Sequence, residues 1–365
     1  MNARLPTIPV IDVRDGGPVR HARQHADAAR ALRDACLGIF PRAALPAVPA
    51  LDWAARRWLM RSRSPYVAEI GAIAEMLDFS GVWMLNASYQ WGCTSRAFAE
   101  EGASWIVRTL DWPFNGLGRH IAVTHMRGAG GDFYSATWPG YVGALTAMAP
   151  GRFAAAINQA PMWRRTVHPW LRPFDLAANA VNIFARIDDI PPDQLLRHVF
   201  EICADYGSAR RMLETTPVAR PVIYMLIGCA PHEACVIERT ETGFVTREDD
   251  TAAANDWVPS RPRWEGRIGM RRFLLRSFDE ATDYSRRRHL AHRRLRSLRR
   301  RAVAGAGDAG ARDRDGAAGG LSFYFGGCAT ISASTTIESR ACTLIGLRSI
   351  SAMICALCQA KSPSV

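Results

Sequence analysis

Gly92-Cys93-Thr94-Ser95, followed closely by Trp105-Ile106-Val107-Arg108-Thr109-Leu110-Asp111-Trp112, is the stretch with the densest potential for chemistry. A thiol alone is mostly protonated at neutral pH, with a reference pKa of about 8.5. A guanidinium beside it favours the thiolate, and a carboxylate can hold an ammonium group in place. Arg108 and Asp111 supply those two groups if the chain folds back on Cys93. If the Gly92–Cys93 bond is cut, the new α-amine of Cys93, with a pKa of about 7.7 to 8.0, sits on the same residue as the nucleophile and can serve as its base.

The positioning elements follow from the pattern around these residues. Cys93 to Ala99 and Ser104 to Trp112 have strand character and flank a polar turn at Glu100-Glu101-Gly102. A hairpin about Glu101-Gly102 sets Cys93 opposite Leu110, which brings Arg108 and Asp111 near the thiol. Further strands are predicted at Ile121 to Met126, Phe133 to Thr137, Val142 to Ala147, Phe153 to Asn158, Val222 to Ile227, Ala234 to Glu238 and Gly243 to Arg247. Helices are predicted over Val19 to Ile39, from an Asp52 cap to Arg61, over Tyr66 to Leu77, Phe174 to Phe184 and Pro192 to Ala204, and near Ser208 to Glu214. Trp53 and Arg57 share a face of the second helix, so core packing is expected there, with an interfacial helix as the alternative. Blocks of helices and strands in this order point to α+β layers and away from a doubly wound sheet.

Composition narrows the function classes. The chain has 365 residues, 48% hydrophobic and 22% charged, the balance of a globular protein. No apolar run reaches the roughly 18 residues of a spanning helix, and no secretory signal is visible, so a soluble, cytoplasmic protein without a transmembrane segment is expected. Of 46 basic residues only Lys361 is lysine, which excludes lysine chemistry elsewhere in the chain. Nine arginines and no acid lie between Arg286 and Arg301, against a net charge of +12, so the basicity is local. No aromatic residue interleaves that run to stack on bases, and no nucleic-acid partner is expected. The nine cysteines are odd in number and scattered apart from Cys355-x-x-Cys358, so reduced thiols are the expectation. No metal or other cofactor is expected: the CxxC lacks a second pair, and His21 and His25 lack a third ligand and are expected on a solvated face. His289 and His292, within the Arg run, are expected to be solvated as well.

The separated motifs together resemble a family. Gly92-Cys93-Thr94-Ser95, Arg108-x-x-Asp111-Trp112, Trp138-Pro139-Gly140-Tyr141-Val142-Gly143-Ala144-Leu145-Thr146 and Ile157-Asn158-Gln159 are similar to acid ceramidase and the N-acylethanolamine-hydrolysing acid amidases. These group with penicillin V acylase and bile-salt hydrolase among the N-terminal-nucleophile hydrolases. The similarity extends from Tyr66 to Tyr89, through the hairpin of Tyr224 to Arg239, to Ala254-Asn255-Asp256-Trp257 and Arg267, about residues 64 to 275.

The resemblance implies roles by position. Cys93 would be the nucleophile exposed by self-cleavage, with Arg108 and Asp111 orienting and polarising it. Asn255 would donate to the oxyanion, Arg267 would complete the polar network, and Asn158 with Gln159 would lie in the substrate-binding segment. Trp138, Tyr141 and Met162 are apolar enough to line an acyl site, although such residues also serve as core. Where ceramidase-like members carry Glu after the Asn, this chain has Gln159, which hydrogen-bonds without a negative charge; the departure bears on self-cleavage and its pH dependence.

The implied fold is a four-layer αββα N-terminal-nucleophile hydrolase sandwich, in which residues 1–92 form a propeptide-derived helical segment retained after cleavage and 93–285 the amidohydrolase core. Residues 286–365, Arg-rich and then low in complexity, do not resemble the strands that complete the family's sheet and are expected to be poorly ordered. A sandwich incomplete at its C-terminus is one outcome, a divergent tail the other. The implied activity is hydrolysis of a small linear amide, an N-acyl lipid among the candidates, through a thioester. An acyltransferase of the same fold and a catalytically inactive binding homologue are the rivals.

Overall fold

The computed structural model describes residues 8–38, 40–87, 92–100, 103–111, 117–185, 188–230, 232–266, 285–287, 289–290, 320–326 and 330–335. The last two segments, and residues 92, 100, 103, 111 and 183–185, are described as backbone. After a short strand β1 (Val10–Asp12), the first part of the chain is helical: α1 (Gly17–Gln24), α2 (Ala26–Leu37), α3 (Val48–Leu59), α4 (Val67–Leu77) and α5 (Val82–Ala87). The hairpin follows as β2 (Gly92–Glu100) and β3 (Ala103–Asp111), then β4 (Ala122–Gly128), β5 (Gly131–Thr137), β6 (Thr146–Ala149), β7 (Phe153–Gln159) and β8 (Met162–Trp163). Helices α6 (Arg172–Ala185), α7 (Pro192–Ile202) and α8 (Tyr206–Thr215) precede β9 (Val222–Gly228), β10 (Ala234–Arg239) and β11 (Phe244–Arg247). Short strands β12 (Ala252–Ala253) and β13 (Trp264–Glu265) come next, then β14 (Gly320–Gly326) and β15 (Thr330–Thr335).

Two sheets carry the architecture. The larger runs β1-β4-β5-β6-β7-β9-β10-β11, antiparallel except for the β1–β4 pair, and the smaller runs β12-β2-β3-β14-β15. Strands β7 and β9 are buried along their whole length. They have to be apolar on both faces because β2 and β3 pack on one side while α7 and α8 cover the other side of the large sheet. Ala154, Ala155 and Ala156 in β7 keep that central strand thin enough for close approach. Helices, large sheet and small sheet are thus stacked layers of an α+β sandwich, with the large sheet between the helices and the hairpin. No helix among the described residues is long and apolar enough to cross a membrane.

The early helices close a second apolar cluster, in which Trp58, Ile70, Ile73, Leu77 and Val82 meet Val142 and Ala219. A buried polar network ties them to α7. Arg197 forms ion pairs with Glu69 of α4 and, at 2.8 Å, with Glu201, whose other carboxylate oxygen accepts from the Tyr66 hydroxyl at 2.6 Å. Burial pushes the Glu69 carboxyl up despite the opposing pull of Arg197. Asn86 adds a reciprocal pair, donating to the Gly140 carbonyl and accepting from the Val142 amide, both at 2.9 Å.

Several local expectations differ from what is found. Asp52 lies inside α3, which starts from Val48-Pro49; its carboxylate accepts from the Met84 amide at 2.9 Å and caps nothing in its own helix. Trp53 is 57% exposed with the Arg57 guanidinium over its ring, whereas Trp58 fills the core position. The strand expected over Val142 to Ala147 begins only at Thr146, because Gly140 takes φ 92° and Gly143 abuts Asp193, where a Cβ would meet Oδ2 at 2.2 Å. His289 is buried against Asp250 at 2.9 Å and is not solvated. Farther along the chain, β14 pairs antiparallel with β3 from Gly320↔Asp111 to Gly326↔Trp105, and β15 pairs with β14. Cys355, Cys358, His292 and most of the Arg run lie outside the described residues.

His21 is buried where a solvated face was expected. Among the described residues its Nε2 and the Ser135 hydroxyl have no hydrogen-bond partner, and both residues line a cavity of about 10 Å³. Desolvation first, and His25 second, lower the His21 pKa from 6.5 to about 4. A histidine depressed in this way is held neutral by the fold, so its contribution is complete above the unfolded value and is lost as pH falls toward the folded one. The unfolding free energy is expected to drop by about 1.4 kcal/mol per pH unit across that window on account of this group. Urea denaturation of wild type and His21→Gln at several pH values checks it: the variant should show the shallower acid slope.

Candidate active site

The β2–β3 register places Cys93 opposite Leu110 and Ser95 opposite Arg108. With a side-chain period of two, Cys93, Ser95, Arg108 and Leu110 share one face, the face toward the large sheet. The Arg108 guanidinium crosses the gap between the sheets. One terminal nitrogen lies 3.1 Å from Cys93 Sγ and also donates to the Ile157 carbonyl of β7, while the other donates to Thr146 Oγ1 of β6 at 2.6 Å. Both Arg108 and Cys93 are 1% exposed. Burial opposes ionisation of the thiol, and the adjoining guanidinium favours it by direct charge.

The third side comes from the loop after β12. Ala252 and Ala253 pair with Arg96 and Ser95, and Thr251 bonds Ala97 through both backbone and hydroxyl, so the chain leaving β12 passes beside Cys93. Asn255 Oδ1 accepts from the Cys93 amide at 2.6 Å, and its Nδ2 donates to the Gln159 carbonyl at 2.9 Å. A donor on one side and an acceptor on the other fix which way the amide points. Asn158 locks the same corner: its Oδ1 accepts from Ser95 at 3.0 Å, and its Nδ2 donates to the carbonyls of Ala253 and Ala254.

Cys93, Arg108, Asn255, Asn158 and Gln159 therefore meet at one place. Asn255 presents its carbonyl oxygen to the Cys93 amide, while its donor group rests on the Gln159 carbonyl. The Gln159 side chain is buried. Asp111 is opposite Gly92 in backbone register; its side chain, and all of Arg267, lie outside the described residues. Trp138 and Tyr141 are buried, with the indole N–H on the Leu117 carbonyl at 3.0 Å and the hydroxyl on Asp193 at 2.6 Å. Those polar ends serve packing of the surrounding loop and helix α7. Ser95 and Thr146 stand in the quoted motifs, but the sequence assigns them no role. Ser95 was within reach, being two residues from Cys93 on the same strand face. Among the described residues, no group of three or more His, Cys, Asp or Glu side chains is gathered to hold a metal.

No protein-family profile matches the chain. Sequence relatives are the N-acylethanolamine-hydrolyzing acid amidases of Rattus norvegicus, 27% identical over 187 residues, and Cavia porcellus, 28% identical over 189. In each case 49% of this chain is matched, against 48% of the rat protein and 49% of the guinea-pig one. A probable acid ceramidase of Caenorhabditis elegans is 25% identical over 215 residues, 53% of this chain and 52% of that protein. The chain thus spans about half the length of the relatives it matches. Among solved structures, a Caenorhabditis elegans N-acylethanolamine-hydrolyzing acid amidase ortholog matches 42% of this chain and 63% of its own at 20% identity and TM-score 0.35. A variant of conjugated bile acid hydrolase from Clostridium perfringens matches 69% and 98% at 9% identity and TM-score 0.33. Over about half of its length, then, the chain is similar in sequence to N-acylethanolamine-hydrolyzing acid amidases and to a probable acid ceramidase.

Proposed function

We propose that this protein hydrolyses a linear amide, with Cys93 as a nucleophile freed by cleavage of the Gly92–Cys93 bond. The observation that carries the proposal is the convergence on one residue of a guanidinium 3.1 Å from the sulfur and an amide oxygen 2.6 Å from the nitrogen. After scission that nitrogen is a primary amine. It takes the thiol proton as the sulfur attacks the substrate carbonyl, and returns a proton to the departing amine. The acyl group is then held as a thioester on Cys93, which water hydrolyses to release the acid. Arg108 stabilises the thiolate, and Asn255 holds the amine through Oδ1. N-terminal sequencing of the purified protein tests the proposal: a fragment beginning at Cys93 is expected, and an intact chain as the sole species argues against it.

An apolar acyl group is the substrate class we favour, and a cavity of about 110 Å³ supports it. Leu32, Cys36, Leu77, Val82 and Leu85 from the early helices line this cavity together with Pro139 and Gly140. Leu32 lies in the same continuous apolar cluster as Cys93, and Cys36 and Leu85 pack against it. Burial pushes the Cys36 thiol up to about 12, so at neutral pH it adds no charge to this lining. Leu32→Trp should fill the cavity and lower kcat/KM for long-chain N-acyl substrates about tenfold relative to short-chain ones. A series of acyl chain lengths assayed with both proteins measures that ratio.

A further inference from the structure

We infer that Thr146 is a positioning residue for Cys93, acting through Arg108; the inference rests on the proposed role of Cys93 and extends it. A guanidinium is a rigid planar fork with five N–H donors, so fixing two of its arms fixes the direction of the rest. Here one terminal nitrogen is held by Thr146 Oγ1 at 2.6 Å. The other is shared between the Ile157 carbonyl and Cys93 Sγ. The Ile157 carbonyl belongs to the backbone of β7, where it cannot be retuned, whereas Thr146 supplies its acceptor from a side chain. Arg108 Nε has no hydrogen-bond partner among the described residues, so none of them replaces Thr146 at the near end of the fork.

The two strands involved explain why the anchor is stiff. Thr146 pairs with Ala156 in the β6–β7 ladder, one residue from Ile157, and is itself 1% exposed. Thr146 and Ile157 O therefore form a two-point cradle on the large sheet for a guanidinium that originates on the small one. Without the hydroxyl, the fork keeps the carbonyl and can turn about it, which carries the second N–H away from the sulfur.

Thr146→Val preserves shape and removes the acceptor; Thr146→Ala removes it without adding bulk; Thr146→Ser retains it. The ultraviolet absorbance of the Cys93 thiolate, taken as the difference between each protein and its Cys93→Ala counterpart, gives the thiol pKa without any substrate. Val and Ala should raise that pKa by about one unit and lower kcat about tenfold, with KM within about twofold. Ser should stay within about twofold of wild type in both. An unmoved thiol pKa in whichever of the Val and Ala variants folds overturns the inference, and so does a Ser variant as impaired as Val. A shifted pKa in a protein that hydrolyses no amide leaves the positioning role standing and removes the proposed function instead.

Discussion

Cys93→Ala is expected to yield one uncut chain of 40.2 kDa with no measurable amidase activity. In the proposed mechanism both events need the same sulfur: it attacks the Gly92 carbonyl during maturation and the substrate carbonyl afterwards. Alanine removes it while keeping the backbone amide that donates to Asn255. Loss of a covalent nucleophile costs on the order of 10⁴-fold or more in kcat when no other group can take its place. Thermal unfolding of the variant should match that of the unsevered precursor, since a buried Cys to Ala change removes one small atom. Intact mass, amidase rate and melting temperature together read the result, and a processed, active Cys93→Ala protein would refute the mechanism.

Arg108→Met should be the next most damaging change, lowering kcat/KM by about 10² to 10³, equivalent to about 2.7 to 4 kcal/mol of transition-state stabilisation. Methionine fills the space of the stem but carries no charge, so the thiolate loses its neighbouring cation inside a site that is nearly closed to water. The pH profile should move to higher pH for the same reason, since removing a positive charge raises the thiol pKa. Arg108→Lys should recover only part of the loss. A single ammonium cannot span Thr146, Ile157 and Cys93 in the geometry of a planar fork. A rate within twofold of wild type for Arg108→Met would exclude the thiolate role.

The legible part of this site was the part governed by a local period. The polar turn at Glu101-Gly102 sufficed to put Cys93 opposite Leu110 and to bring Arg108 near the thiol, as the ladder has it. Asn255 was different: nothing in its own surroundings marks it, and it came only through likeness to other chains. Its position depends on β12 pairing with β2, a contact between segments more than 150 residues apart in which the strand is two residues long. The contact that Thr146 makes was hidden for a similar reason, since its partner Arg108 lies across the gap between two sheets. Asp52 misled because Asp before an apolar run is a sound capping signal, and only tertiary packing with the Met84 amide shows that the helix had already begun. Val142 to Leu145 misled because apolar residues look the same in a buried loop as in a buried strand.

The Arg197 network joins residues that precede Cys93 to residues that follow it. Tyr66 and Glu69 belong to one side of the proposed cut, Arg197 and Glu201 to the other. Once the peptide is severed, these contacts hold together two separate polypeptides, and denaturation changes from a unimolecular event to a dissociation. Its midpoint then rises with protein concentration, whereas that of the unsevered precursor does not. Recovery from denaturant becomes second order, so a matured sample diluted far enough would reassemble slowly even though each molecule began as a single chain.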